Sequence, residues 1–351
     1  MSRFTIGIPT FNRASFLQDS LQAALHQSAP DVQVIVVDNA STDDTSAVAR
    51  RFGNGVQYYR NDENIGSLEN FKRTATLSST QYFSWLQDDD VVHCEFVARA
   101  LEAFDRDPAI TVYSAYTLIS ASLRFGYDAI LYGPEISLDW MSRELLVLDG
   151  LVTAPLALLS SVAIPPALAF RTDALKRALK YSSAQCELYS VERIIVAAAA
   201  SEGKIAFDPW PAAIFRSHDN QGFKRILETD PNERWIQWVT MANTLGALLE
   251  SRGNGWQKLF GDVLREVPEG RRASWLRDGP PLSYWSQAHP VALQIRAALV
   301  ASLPGYRDRE AVKPKPSRLR NAVKALAPPI LWNAAATLRE KLKGQAGLKP
   351  S

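Results

Sequence analysis

Val32-Gln33-Val34-Ile35-Val36-Val37-Asp38-Asn39-Ala40-Ser41-Thr42-Asp43-Asp44-Thr45 holds the reading that decides the fold. Residues 32–37 form a short, nearly continuous apolar run, the pattern of a strand buried on both faces of a parallel sheet. The run breaks at Asp38 into a polar turn that leads into a helix. Upstream, residues 3–9 alternate apolar and small side chains and read as a first strand. Ser15, with Gln18 three residues on, forms a capping box for a helix whose apolar face is Phe16, Leu17, Leu21, Ala24 and Leu25, and Pro30 stops it. Downstream, residues 56–59 read as a strand, 64–77 as a helix and 81–86 as a fourth strand. This alternation predicts an α/β fold, a doubly wound and mostly parallel sheet whose ligands bind at the carboxyl ends of the strands.

Polar motifs fall at those ends. Pro9-Thr10-Phe11-Asn12-Arg13 follows the first strand, and Asp38 to Asp44 follows the second. The fourth strand, Tyr82-Phe83-Ser84-Trp85-Leu86-Gln87, runs straight into Asp88-Asp89-Asp90. Adjacent like charges are expensive to bury, so the triplet is expected at a strand end facing solvent or a cation. Hard divalent ions such as Mg²⁺ or Mn²⁺ take oxygen ligands of this kind together with substrate phosphates. A solvated acidic turn is the plainer explanation. The gathering of three polar motifs on one sheet edge favours a site for a nucleotide and a metal.

Ile-Pro-Thr-Phe-Asn-Arg (8–13), Val-Val-Asp-Asn-Ala-Ser-Thr-Asp (36–43), Asn64-Ile65-Gly66 and the Asp triplet, in this order and spacing, resemble the family-two glycosyltransferases of the GT-A fold. The likeness is specific over residues 3–105 and looser to about residue 222. It implies transfer of a sugar from a nucleotide diphosphate sugar to an acceptor hydroxyl, with inversion at the anomeric carbon. By resemblance Pro9, Thr10, Asn12 and Arg13 line the nucleotide cleft, Asp38 binds the base, and Asn64 and Gly66 form a turn beside it. Asp90 becomes the metal ligand, with Asp88 and Asp89 against ribose or donor sugar and Asp88 a second candidate ligand. Phe215-Arg216-Ser217-His218 resembles the family's Tyr-Arg-x-His, giving Arg216 to the diphosphate and His218 to the metal or phosphates. The general base is expected about a dozen residues before Glu202-Gly203-Lys204. Counting back reaches Glu192, with Glu187 in reserve, although the family more often has Glu-Asp there. A helical carboxylate paired with Arg193 is the plain alternative. The donor base, the donor sugar and the acceptor are not legible.

A nucleotidyltransferase would share such a sheet, but it normally shows a Gly-rich basic phosphate loop after the first strand, which residues 9–13 lack. A non-catalytic nucleotide- or carbohydrate-binding module stays open through the degraded base motif.

At 351 residues the chain accommodates one large domain plus appendages, and 46% hydrophobic with 22% charged residues is globular composition. Residues 1–228 read as the GT-A domain, with a nucleotide-sugar half to about 105 and an acceptor half beyond. Residues 229–303 read as a helical extension whose Trp235, Trp238, Trp256, Trp275 and Trp285 are core residues at helical spacing. Residues 304–317 read as a Pro-rich linker and 318–351 as a basic amphipathic tail. Residues 311–351 hold nine Lys/Arg against Glu340, a net of +8, which leaves 30 basic and 36 acidic groups, a net of −6, on the other 310 residues. The tail suits an anionic membrane surface and, with it, a glycan or lipid-linked acceptor. No basic, aromatic pattern in the main domain supports nucleic acid. Cys94 and Cys186 show no disulfide framework or metal spacing. With neither a leader pattern nor a run of about 18 apolar residues, the expected place is the cytoplasm, peripheral on a membrane's inner face.

Overall fold

The computed structural model describes residues 2–120, 130–132, 145–159, 166–182, 188–216 and 231–306. The expected alternation is present: β1 (Phe4–Thr10), α1 (Ala14–Leu25), β2 (Gln33–Asp38), α2 (Thr45–Arg50), β3 (Gln57–Arg60), α3 (Ser67–Leu77) and β4 (Tyr82–Trp85). There follow β5 (Val91–Val92), α4 (Phe96–Arg106), β6 (Ile110–Ser120), β7 (Ile130–Tyr132), β8 (Leu146–Asp149), α5 (Thr153–Leu159), β9 (Leu168–Arg171), α6 (Thr172–Ala178), α7 (Leu188–Ala200) and β10 (Lys204–Arg216).

One sheet runs β3-β2-β1-β4-β9-β6-β10-β5, with β7 on β6 and β8 on β10. The four strands of the first half are parallel, and Thr10 lies opposite Asp38 and Asp38 opposite Arg60. That register sets the polar motifs side by side on one edge. Among the described residues of the second half only β6 and β10 pair in parallel, and β9, β8, β7 and β5 join antiparallel. The sheet is therefore mixed, and parallel chiefly where the polar motifs lie. A parallel neighbour requires a long crossover, whereas the short β5, β7, β8 and β9 add as edge or insertion strands.

All seven residues of β1 are buried, as are five of the six in β2. Side chains alternate across the sheet, so Phe83 and Trp85 enter one apolar cluster while Tyr82 enters the other. The first cluster continues through α7 into helices at Pro231–Ser251, Gly255–Glu266, Glu269–Asp278, Leu282–Trp285 and Pro290–Ala301. Trp238, Trp256, Trp275 and Trp285 are buried in it, the core role expected for them, so the helical extension shares a core with the sheet. Among the described residues no helix is long and apolar enough to cross a membrane.

The capping box expected at Ser15 does not form. The cap position of α1 is Arg13, without a side-chain cap. Asp43 from the neighbouring loop instead accepts the Ala14 N–H at 3.1 Å and Thr45 accepts the Arg13 N–H at 3.0 Å. A local signal was overridden by a tertiary one, because both loops crowd onto the same sheet edge.

Gly150 marks the tightest joint in the second half. Its N–H donates to Gly203 O at 2.9 Å, and a β-carbon there would lie 1.7 Å from the Ala200 carbonyl oxygen. Backbone cannot step aside as a side chain can. Gly150→Ala is expected to destabilise the fold by about 3 kcal/mol or more, measured by urea unfolding; a loss below about 1 kcal/mol would show that the end of α7 gives way easily.

Candidate functional site

Four segments meet at the carboxyl ends of β1, β2, β3 and β4. The turn after β1 is pinned to the turn after β2. The Asn12 N–H donates to Ser41 Oγ at 2.9 Å, and Asn12 Oδ1 accepts the Thr42 N–H at 2.7 Å. Asn12 and Ala40 hold left-handed backbone, with φ of 53° and 62°. Non-glycine residues persist there only when their surroundings over-determine them, as these reciprocal bonds do. Asp43 has its pKa lowered: burial opposes the charge, but hydrogen bonds from Thr45 and Ala14 outweigh it.

The acidic triplet is buried rather than solvent-facing, with Asp90 fully enclosed. Asp88 accepts the Phe11 N–H at 3.3 Å, and Arg13 Nε stands 3.8 Å from Asp88 and 3.9 Å from Asp89. Burial first, and then the charge of Asp89, pushes Asp88 up to about 7, against the pull of Arg13. The same causes raise Asp90 well above the ordinary aspartate range. Asp90 Oδ1 accepts the Arg216 N–H at 2.9 Å, while its Oδ2 is a buried acceptor with no hydrogen-bond partner among the described residues. Such an orphan costs on the order of 1–3 kcal/mol unless a proton or cation fills it. The donor set fits a hard divalent cation: two carboxylates are enough when substrate phosphates complete the shell. Among the described residues no three His, Cys, Asp or Glu side chains converge as a complete metal site. His218, the other candidate ligand, lies outside the described residues, as does Glu187.

Two residues expected to touch ligand are engaged with protein. Asp38 is fully enclosed at the end of β2. Its carboxylate accepts the Ser41 N–H at 2.8 Å, the Tyr58 hydroxyl at 2.5 Å and Arg60 NH1 at 2.7 Å. Arg60 also donates to Ser41 O at 2.8 Å and remains partly exposed. Arg216 is buried; it donates through Nε to the Asp89 carbonyl and through NH1 to Asp19 at 2.6 Å, and it stacks over Phe16. It braces the loop that carries the triplet.

Glu192 sits on α7, its second turn rather than its first. It lines a small apolar cavity of about 20 Å³ with Phe71, Trp85, Phe170, Ile195 and Val196 among its walls, room for roughly one water. Burial, opposed only by the charge of Arg193, pushes its carboxyl up to about 8. Arg193 donates to the Ala157 carbonyl at 3.2 Å. Trp85, a wall of this cavity, precedes Asp88 by three residues along the chain.

The profile described as Glycosyl transferase family 2 matches residues 5–178. Through these residues the chain belongs to glycosyl transferase family 2. An uncharacterized glycosyltransferase of Rickettsia bellii is 24% identical over 301 residues, covering 83% of this chain and 39% of that protein. One from Rickettsia conorii is 31% identical over 130 residues, 34% of this chain and 21% of that protein. The chain thus spans well under half the length of these curated relatives. Among solved structures, Staphylococcus aureus TarS 1–349 in complex with UDP superposes with a TM-score of 0.50 at 17% identity, over 86% of this chain and 89% of that one. That likeness is one of fold, and the fold is GT-A.

Within the family 2 domain, the sequence reading passed over an asparagine network that holds the Asn64–Gly66 turn. Asn39 Nδ2 donates to Asn64 Oδ1 at 2.8 Å, and Asn39 Oδ1 accepts the Ile65 N–H at 3.0 Å. Asn61 Nδ2 bridges Asn39 Oδ1 at 2.8 Å and Asn70 Oδ1 at 3.0 Å. Gly66, with φ of 86°, takes a conformation that glycine alone adopts freely. The signal was in plain view: four asparagines at the ends of β2 and β3 and the start of α3. Arg60 and Tyr58 were missed because a strand residue pairing with a neighbouring strand's carboxylate leaves no periodic trace.

Proposed function

We propose that this chain is an inverting, metal-dependent glycosyltransferase that moves a sugar from a nucleotide diphosphate sugar to an acceptor hydroxyl. The buried Asp88–Asp90 cluster, with its orphaned Asp90 oxygen at the carboxyl end of β4, is the observation that supports this best. Asp90 and Asp88 would hold Mn²⁺ or Mg²⁺ with His218, and a bound ion offsets the charge gathering on a departing nucleoside diphosphate. Pro9, Thr10, Asn12, Arg13, Asn64, Gly66 and Asp89 line the donor side. With Asp38 enclosed, contact to the base passes through its partner Arg60. Arg216 acts on the diphosphate indirectly, by fixing the triplet.

Inversion is a single displacement. The acceptor oxygen forms a bond to the anomeric carbon as the bond to the diphosphate oxygen breaks, and the hydroxyl proton passes to a carboxylate. Glu192 is that carboxylate in this reading, with Glu187 the alternative. Residues 1–228 are the transferase domain and 229–303 a helical extension. The tail beyond 317 brings the enzyme to the cytoplasmic face of a membrane, where a surface polysaccharide or glycolipid is built. A cell-fractionation profile that does not change on deletion of residues 312–351 would remove the membrane clause.

The deciding test is calorimetry with a panel of uridine, guanosine, cytidine and thymidine diphosphates, with and without Mn²⁺, on wild type and Asp90→Ala. One nucleotide is expected to bind in a Mn²⁺-dependent manner and to be lost in the variant. Binding that ignores both metal and Asp90, or no binding at all, leaves a non-catalytic module in its place.

A further inference from the structure

Beside the Asn64–Gly66 turn, an open groove of about 540 Å³ runs between α3 and α6. Lys72, Arg73, Lys176 and Lys180 line it, with Glu69 the acid among them and Ile65, Leu77 and Leu179 between the cations. Glu69 is spent on Lys72 at 2.8 Å. Lys176 reaches the Ser78 carbonyl at 2.7 Å and Lys180 lies 4.9 Å from the Tyr181 ring, both contacts that leave the charge uncompensated. Among the described residues Arg73 has no ion pair. Outside the tail the chain is net acidic, so four cations around one concavity are a local concentration rather than a sample of the whole surface. Like charges held together repel, and a concave cationic surface focuses the field on an anion.

Position narrows the anion's identity. Ile65, in the groove's lining, donates its N–H to Asn39 at the carboxyl end of β2. Lys72 and Leu179 line both this groove and the cavity of Glu192, so the groove lies against the wall of that cavity. Apolar side chains between the cations suit a ligand with hydrocarbon beside its charge.

We propose that this groove binds the diphosphate group of an amphiphilic acceptor, directing the acceptor's reactive end toward Glu192. The assignment rests on the glycosyltransferase reading above. Lysine and arginine would bind the phosphate oxygens by charge-assisted hydrogen bonds, and Ile65, Leu77 and Leu179 would cover the start of the hydrocarbon.

The test uses the full chain, so that the tail contributes equally throughout, with farnesyl diphosphate as probe and inorganic diphosphate and phosphatidylglycerol vesicles as comparison arms. Arg73→Glu/Lys180→Glu is expected to weaken farnesyl diphosphate binding at least tenfold. Nucleoside diphosphate binding and the unfolding midpoint should stay at wild-type values. Arg73→Gln/Lys180→Gln, which removes charge without reversing it, should fall between, and covers the case of a reversal that does not fold. Farnesyl diphosphate binding unaffected by both variants overturns the proposal. Inorganic diphosphate binding as tightly as the farnesyl ester assigns a free-anion site instead. Loss confined to vesicles makes the groove a membrane contact, and loss of nucleotide binding in the same variants makes it part of the donor site; each overturns the proposal as well. Absence of nucleotide binding in wild type is the separate failure of the glycosyltransferase reading.

Discussion

Glu192→Gln is expected to lower turnover by roughly a hundred- to ten-thousand-fold, the usual worth of a positioned general base, while nucleotide binding stays intact. The amide keeps the shape of the carboxyl inside the apolar cavity of Phe71, Trp85 and Phe170 but cannot take a proton from the acceptor. The wild-type rate should rise with pH and level off above about 8, where Glu192 is ionised. Stability should move the other way. The folded carboxyl holds a proton up to about pH 8, whereas the unfolded one releases it near its ordinary value of 4.5. Between those limits the native state binds more protons, so unfolding free energy falls as pH rises and is flat beyond. Asp88, raised to about 7, adds to the fall over its own range. The glutamine variant should lack the Glu192 share of this slope. Steady-state kinetics and urea unfolding between pH 5 and pH 9 read both effects, and turnover within about threefold of wild type would pass the base role to Glu187.

The contrast between a legible donor half and a partly legible second half has a physical origin. β1, β2 and β4 are buried on both faces, so their runs hold apolar and small side chains and end abruptly at the polar motifs. Asp38, Asp88 and Asn12 announce themselves by sitting at those breaks. The burial of the triplet was not legible, because it depends on β10 returning from far along the chain to set the Arg216 N–H on Asp90. The enclosure of Asp38 was hidden for the same reason, resting on Tyr58 and Arg60 of the adjacent strand. Glu192 was reachable only by counting from Gly203. Its place in the second turn of α7, facing Trp85 and Phe71, is a product of tertiary packing. The basic groove joins α3 to α6 across about a hundred residues, and neither helix alone shows more than an ordinary solvated face.

Asp90→Asn should make the metal-free protein more stable and the metal-loaded protein less so. In the enclosed site a carboxylate is penalised by burial and by Asp89, and one of its oxygens has no partner among the described residues. Asparagine retains an acceptor for the Arg216 N–H and carries no charge. Because the folded pKa of Asp90 is raised, its wild-type contribution to stability is lost as pH climbs above the ordinary aspartate range, so the variant's advantage should grow from pH 5 to pH 8. A divalent ion that binds only the folded state reverses the order. At a hundred times its dissociation constant it adds about 2.7 kcal/mol, and an amide nitrogen in place of the orphaned oxygen removes a ligand that a hard cation requires. Thermal unfolding at pH 8 with and without Mn²⁺ separates the two terms: wild type should gain several degrees on metal addition and Asp90→Asn almost none. Equal shifts in both proteins would place the ion elsewhere and leave the triplet as a proton-holding structural cluster. A variant less stable than wild type without metal would mean that the charge of Arg216 compensates Asp90 more fully than burial and Asp89 penalise it.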